Sequence, residues 1–248
     1  MATLEGKIIL IFGGSSGLGH SAAEASLKSK ASRVIISSSK PEKVSNAVNR
    51  LKSANLGDGQ IEGHVVDVTD AEALKSFLNQ IGEVDHVIWS SGDRLPLGFP
   101  NLELDAMKST LSTAFDVRFW GAIIVAQHAK IRPKGSLTLT VGSVVVKPKQ
   151  TWTVAAGVMG AVDSITRGLA VDLAPIRVNC ICPGVIKTEL WDGMPPDKRE
   201  QFYATVAGNL LLKYVPEPNE VAEAYLFLMK CDYITGQRIQ IDGGYSLV

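Results

Sequence analysis

The stretch that decides the fold of this 248-residue chain is Ile8-Ile9-Leu10-Ile11-Phe12-Gly13-Gly14-Ser15-Ser16-Gly17-Leu18-Gly19. Its apolar residues predict a buried strand, and the glycines predict a tight turn into a helix. Gly13, Gly17 and Gly19 have the spacing Gly-x-x-x-Gly-x-Gly, which lets a backbone approach a pyrophosphate at a helix N-terminus. A strand–helix turn without a ligand is the alternative. The candidate cofactor-binding residues of this loop are Gly13, Ser15, Ser16, Gly17, Leu18 and Gly19.

Short apolar runs alternate with helix-length amphipathic segments along the rest of the chain. The predicted strands are Lys7–Phe12, Arg33–Ser37, Ile61–Val66, His86–Ser90, Ser136–Val141, Arg177–Cys182 and Arg238–Ile241. The predicted helices are Gly17–Ser29, Lys43–Ala54, Ala71–Ile81, Leu104–Ala129, Val154–Leu173 and Glu220–Lys230. Unbroken apolar strands separated by helices indicate α/β architecture, a doubly wound, Rossmann-like parallel sheet with helices on both faces. We expect seven strands in one domain over residues 1–248, with a substrate lid at about 190–218.

The end of the second predicted strand indicates which dinucleotide binds. Ser37, Ser38, Ser39 and Lys40 follow Ile36 without an acidic residue. A carboxylate there would accept from the ribose 2′-hydroxyl of NAD, whereas hydroxyl and ammonium groups suit the 2′-phosphate of NADP. The sequence therefore predicts NADP(H). The alternative is a polar loop in which Ser39 caps the next helix.

Four further motifs, in order along the chain, resemble those of the short-chain dehydrogenase/reductase family. They are Asp67-Val68, Ser90-Ser91-Gly92, Pro183-Gly184-Val185-Ile186-Lys187-Thr188 and Ile241-Asp242-Gly243-Gly244. The resemblance covers the whole chain. It implies that Asp67 and Val68 hold the adenine, that Ser90, Ser91 and Gly92 pass beneath the cofactor, and that the Pro-Gly loop holds the nicotinamide. The nicotinamide-binding residues implied are Pro183, Gly184, Val185, Ile186 and Thr188.

The catalytic positions of that family are changed in this chain. Its Tyr-x-x-x-Lys motif falls on Ala155 and Met159, and Arg118 stands where the family has an asparagine. An alanine methyl donates no proton and a thioether holds no positive charge. Ser143 is retained, so Arg118 and Ser143 are the candidate catalytic residues. We expect no reduction of simple ketones by the family's usual mechanism.

Two explanations compete for this pattern of loss. One is a pseudoenzyme that keeps its cofactor as a structural ligand, and the other is a changed reaction in a site that is apolar apart from Arg118 and Ser143. Arg118 would then orient or polarise a carbonyl or amide. The structural alternative makes it an ion-pair partner of Asp116 or Asp163.

Hydride addition to an iminium gives a neutral amine and needs no proton, so an iminium reductase tolerates loss of tyrosine and lysine. The chain here resembles fungal reductases of prenylated indole alkaloid biosynthesis, some of which couple iminium reduction to a Diels–Alder closure. Their catalytic aspartate would fall near Thr153, where this chain has none. Three hypotheses remain: an NADPH-dependent reductase, a non-redox isomerase or cyclase that uses the cofactor as a pocket wall, and a cofactor-binding pseudoenzyme.

Composition excludes some partners. Lys+Arg and Asp+Glu each total 25, so no excess of positive charge points to nucleic acid or an anionic membrane. The cysteines Cys180, Cys182 and Cys231 are predicted to be reduced and to bind no metal. Without a signal peptide or an apolar run of about 18 residues, we expect a cytoplasmic protein with an apolar small-molecule substrate. The family resemblance implies a homodimer or homotetramer.

Overall fold

The computed structural model describes residues 3–92, 95 and 97–248. Its sheet has seven parallel strands in the order β3-β2-β1-β4-β5-β6-β7. The strands are β1 (Ile8–Phe12), β2 (Arg33–Ser38), β3 (Gln60–Val65), β4 (Glu83–Trp89), β5 (Lys130–Thr140), β6 (Arg177–Pro183) and β7 (Arg238–Ile241). The order reverses between β1 and β4, which opens a crevice at their carboxyl ends. The predicted seven-stranded Rossmann-like α/β fold is confirmed.

The helices cover both faces of this sheet. They are α1 (Gly17–Lys28), α2 (Pro41–Ser53), α3 (Ala71–Ile81), α4 (Leu104–Phe115), α5 (Gly121–His128), α6 (Thr153–Asp172), α7 (Pro196–Gly208) and α8 (Pro218–Lys230). Successive residues of a strand point to opposite faces. Ile9 and Ile11 accordingly pack in one core with α1, α2 and α8, whereas Leu10 and Phe12 pack in the other with α3, α5 and α6.

The prediction of one continuous helix over Leu104–Ala129 is wrong in one respect. Between α4 and α5 the backbone forms a π-helix over Asp116–Trp120, and Arg118 lies in it. Such π turns occur often at functional sites, because the extra residue per turn changes where a side chain points. Hydrophobic periodicity does not reveal a single wide turn, so this feature was not predictable from the pattern.

The expectation that no segment is apolar enough to span a bilayer also needs correction. Helix α6 has 20 residues and a mean hydropathy of 1.3 over its best window, which suffices by length and composition. Its residues Val158, Met159 and Val162 are buried against the sheet. A core helix of an α/β domain meets the same criterion, and the packing of α6 favours that interpretation.

Candidate active site

The glycine loop is packed directly on the end of β4. Gly13 has a φ of +77°, and a Cβ there would lie 2.7 Å from the main-chain nitrogen of Ser91. A Cβ on Gly19 would collide with the carbonyl oxygen of Gly13 and with Ser90 Oγ. Ser90 Oγ itself donates to the carbonyl oxygen of Phe12 at 2.7 Å. The first loop is therefore a cradle that only glycine can line, and it fits the pyrophosphate of a dinucleotide.

An acidic side chain from the other side of the crevice reaches this cradle. The main-chain N–H of Gly17 donates to Glu189 Oε2 at 2.8 Å. Glu189 Oε1 lies 3.8 Å from the Arg50 guanidinium, which also donates to the carbonyl oxygen of Ser15. The side chain of Thr188, a predicted nicotinamide residue, lies against Gly17. The contact of Glu189 with the helix N-terminus was missed at the sequence level, because nothing in the spacing pairs residue 17 with residue 189.

The end of β2 carries the predicted 2′-phosphate group, with one correction. The hydroxyl of Ser37 is buried at 1% exposure, so it does not face a phosphate in solvent. Its carbonyl oxygen instead accepts from the N–H groups of Gly13 and Gly14, and its Oγ has no hydrogen-bond partner in the described part of the chain. Ser38 is half-buried, whereas Ser39 and Lys40 are exposed. Lys40, not Ser39, is the N-cap of α2, and no side chain caps that helix. Capping therefore does not account for Ser39.

The predicted adenine residues follow β3. Asp67 is exposed, and its Oδ1 accepts from the main-chain N–H and the hydroxyl of Thr69 at 2.9 and 2.8 Å. Val68 is half-buried against the apolar core. The carboxylate is thus fixed in a turn at the edge of the crevice, where Oδ2 makes no bond with a described residue.

The Pro-Gly loop after β6 is tied to the C-terminal turn. The N–H of Gly184 donates to the carbonyl oxygen of Ile241 at 2.9 Å, and a Cβ on Gly184 would lie 3.1 Å from Asp242 Cα. Asp242 accepts from the N–H groups of Gly244 and Ser246, each at 3.0 Å. The Asp-Gly-Gly motif therefore fixes the turn that carries Tyr245. In the Pro-Gly loop Pro183 and Ile186 are buried, and Val185 lines a cavity.

The two candidate catalytic residues occupy different places. The guanidinium of Arg118 lies flat against Gly92, since a Cβ there would be 2.6 Å from both of its terminal nitrogens. A larger residue at position 92 would collide with the Arg118 guanidinium, and both residues lie at the carboxyl end of β4. Asp163, one of the partners considered for Arg118, accepts from Arg167 at 3.1 Å and Arg238 at 3.2 Å.

Ser143 lines a cavity of about 480 Å³ that Arg118 does not line. The cavity lies beneath α7, and this helix belongs to the segment predicted to be a lid. Ala155 and Met159, at the positions of the family's tyrosine and lysine, are 0% and 7% exposed. The cavity is lined by Ser143, Lys147, Lys149, Val185, Phe202, Thr205, Val206, Asn209, Leu210, Tyr245 and Val248.

This lining corrects the expected polarity of the site. We predicted a pocket that is apolar apart from Arg118 and Ser143, but Lys147 and Lys149 also line the cavity and Arg118 does not. Both lysines follow β5 in an irregular loop, so no periodicity assigned them to a pocket. Burial lowers the pKa of the Lys149 ammonium.

A metal centre finds no support. The part of the chain that the structure describes has no group of three or more His, Cys, Asp or Glu side chains that would hold a metal ion. Cys180 and Cys182 are buried free thiols, and burial raises their pKa to about 11 and about 12. A thiol with so high a pKa is a poor ligand and a poor nucleophile.

The fold, the glycine cradle and the loops at the carboxyl ends define a dinucleotide-binding Rossmann domain. The family model described as an SDR-like Rossmann domain matches residues 2–248. This chain therefore belongs to the short-chain dehydrogenase/reductase family.

Similar proteins include fungal members of that family. The short-chain dehydrogenase/reductase fsr5 of Gibberella fujikuroi is 33% identical over 264 residues, which cover 100% of this chain and 97% of that protein. The structure of MalC Reductase/Diels-Alderase from Malbranchea aurantiaca has a TM-score of 0.90 at 27% identity and covers 99% of this chain and 98% of its own. A small-chain dehydrogenase in complex with NADPH has a TM-score of 0.80 at 29% identity and covers 98% and 100%. The predicted likeness to fungal reductases of this kind is confirmed.

Proposed function

We propose that this chain is an NADPH-dependent oxidoreductase that transfers a hydride to an iminium or similarly activated acceptor on a largely apolar substrate. One observation carries the proposal. The cofactor cradle built on Gly13 and Gly19 is intact, while Ala155 and Met159 leave no phenol and no ammonium at the two positions of the family's Tyr-x-x-x-Lys motif. A reaction that keeps the dinucleotide and discards the proton donor fits this combination.

The choice of acceptor follows from where a proton is needed. Hydride addition to a ketone forms an alkoxide, which must be protonated, and the family's tyrosine supplies that proton. Hydride addition to an iminium carbon forms a neutral amine directly. Loss of the proton donor therefore slows the reduction of a ketone strongly, whereas it does not slow the reduction of an iminium.

The residues that would hold NADP(H) are distributed around the crevice. Gly13, Gly17 and Gly19 fit the pyrophosphate, Ser38 to Lys40 fit the 2′-phosphate, and Asp67 fits the adenine amine. The loop from Pro183 to Thr188 would hold the nicotinamide. When bound, the cofactor supplies the hydride.

Three features of the chain would act on the substrate. Ser143 Oγ in the cavity would orient a polar atom beside the reacting carbon. Arg118, held against Gly92, would orient a carbonyl or amide group on the part of the substrate that faces the cofactor. Helix α7, through Phe202 and Val206, would exclude water as a lid.

The lysines restrict the acceptor further. Two ammonium groups repel a substrate whose only charge is positive. An iminium substrate for this cavity would therefore carry its own anionic group, or the acceptor would be neutral and activated by conjugation.

Cyclisation is the second candidate function, because a relative with a TM-score of 0.90 is described as a reductase/Diels-Alderase. Against an identical mechanism stands Thr153, an exposed residue at the start of α6 where a carboxylate was expected. A cavity that acts only by holding its substrate in the conformation that cyclises would still accelerate ring closure with NADP⁺ bound. Product formation with NADP⁺ in place of NADPH therefore separates a non-redox cyclase from a reductase.

The test uses three compounds of similar shape. N-methyl-3,4-dihydroisoquinolinium, its 3-carboxylate and 1-tetralone are each offered with NADPH, and its oxidation is followed by absorbance. We expect turnover of an iminium and none of the ketone. The double variant Ala155→Tyr/Met159→Lys is the matched control, which should gain ketone reduction if the lost pair is what limits it. Robust turnover of 1-tetralone by the unmodified chain would contradict the proposal, and absence of any NADPH oxidation would favour the pseudoenzyme.

A further inference from the structure

We propose that Lys147 and Lys149 form an anion-binding subsite of the 480 Å³ cavity and hold a carboxylate or enolate oxygen of the substrate. This inference rests on the proposed function, since it assumes that the substrate occupies this cavity. It adds the class of molecule: an apolar ring system that carries an anionic oxygen.

The two ammonium groups converge on one aromatic ring. Lys147 Nζ lies 5.0 Å and Lys149 Nζ lies 5.1 Å from the centre of the Tyr245 ring. Lys149 Nζ also lies 5.7 Å from the centre of the Trp152 ring. Both cations are thereby held around the Tyr245 ring, which lines the cavity.

Acidic side chains do not neutralise this pair. Within the described residues neither ammonium forms an ion pair with an acidic side chain. Lys147 Nζ donates to the carbonyl oxygen of Tyr245 at 3.3 Å, which satisfies one of its three donors. No Asp or Glu side chain lines the cavity. Among the described residues, ring faces and one carbonyl oxygen lie around the two ammonium groups.

Burial makes this arrangement costly in the absence of an anion. Lys149 is half-buried, and burial lowers the pKa of its ammonium. A cation over a ring face recovers only part of the hydration that burial removes. An anionic oxygen in the cavity would offset the charge of the two ammonium groups and accept a charge-assisted hydrogen bond.

The other lining residues indicate what surrounds the anion. Val185, Phe202, Val206 and Leu210 are apolar and form the remaining walls with the Tyr245 ring. A phosphorylated or highly polar molecule would bury little apolar surface against these walls. An aromatic or polycyclic acid fits both parts of the cavity.

The subsite is separate from the predicted 2′-phosphate site. Lys40 follows β2, whereas Lys147 and Lys149 follow β5, and β1 and β4 lie between those two strands. An acid that binds to the chain saturated with NADP⁺ therefore does not occupy the 2′-phosphate site.

Binding of a matched acid and amide tests the subsite. The full chain saturated with NADP⁺ is titrated with 2-naphthoate and with 2-naphthamide, which differ in charge and little in shape. We expect the acid to bind about tenfold tighter, as one charge-assisted contact provides. Lys149→Met should abolish this preference and leave amide binding unchanged, whereas Lys149→Arg should keep it. Lys52→Met, on the exposed surface of α2, is the control and should behave as the unmodified chain.

Several results would overturn the subsite. They are equal affinity for acid and amide, a loss of both ligands in Lys149→Met, an equal effect of Lys52→Met, and loss of acid binding on saturation with NADP⁺. If Lys149→Met does not fold, Lys147→Met and the salt dependence of the unmodified chain decide, because an electrostatic preference must shrink as salt rises. The measurement requires no turnover. A clear preference for the acid without NADPH oxidation would keep the subsite and reject the proposed reductase.

Discussion

Glu189 should compete with the cofactor for the N-terminus of α1. Its Oε2 accepts from the Gly17 N–H at 2.8 Å, and the pyrophosphate of a dinucleotide requires the same donor. The cofactor must displace the carboxylate, and two anions near one helix terminus repel each other. Replacing Glu189 with Gln removes the charge while keeping the length of the side chain, so NADPH should bind more tightly.

The expected size of this effect is modest. A hydrogen bond to a charged group contributes about 1.5–3 kcal/mol when it is shielded from solvent. The Glu189 side chain is 46% exposed, and its ion pair with Arg50 is long at 3.8 Å. Solvent screening reduces the competition to about 1 kcal/mol, or roughly a fivefold tighter Kd.

Calorimetric titration of the two proteins with two ligands measures this effect. NADPH should bind about fivefold tighter to Glu189→Gln, as argued above. Adenosine 2′-monophosphate, which lacks the pyrophosphate, should bind both proteins equally. Glu217→Gln is a control carboxylate outside the cradle, paired with Lys187. Weaker NADPH binding in Glu189→Gln would refute the reasoning, because the carboxylate would then support the cofactor site instead of competing for it.

Three further predictions follow from the site and its helices. Lys40→Glu should narrow the preference for NADPH over NADH by about tenfold, as loss of a charge-assisted contact to phosphate requires; an unchanged ratio of Kd values would remove Lys40 from the phosphate site. Arg118→Ala should lower turnover by roughly 10²-fold with NADPH affinity and Tm near wild type; a large fall in Tm with activity per folded molecule retained would make Arg118 structural. Sedimentation at micromolar concentration should show a dimer or tetramer, since Trp120 and Val171 expose apolar surface on the helices that the family resemblance places at two-fold interfaces; a monomer would contradict this.

Much of the fold could be read from the sequence because the relevant signals are local. The apolar run Ile8 to Phe12 and the glycines after it define a strand, a turn and a helix within twelve residues. The positive φ of Gly13 and the contact of Gly19 with Gly13 show why these residues have no side chain.

What could not be read depends on residues that are distant in sequence. Glu189 reaches Gly17, and Tyr245 brings Lys147 and Lys149 together, only after the sheet has formed. The π turn around Arg118 is a single wide turn within a regular apolar pattern. Burial of the Ser37 hydroxyl likewise depends on the glycine loop that packs over it. The predicted cofactor loops needed one such correction, and the two lysines that line the cavity, Lys147 and Lys149, were not predicted.

Deuterium transfer tests the central claim, that this chain delivers a hydride to an acceptor that needs no proton donor. NADPH that carries deuterium at both C4 positions of the nicotinamide is incubated with the chain and with N-methyl-3,4-dihydroisoquinolinium-3-carboxylate or 1-tetralone, and the products are examined by mass spectrometry. The account predicts one deuterium in the cyclic amine and no formation of tetralol. Deuterated tetralol formed by the unmodified chain, or an amine without deuterium, would contradict it.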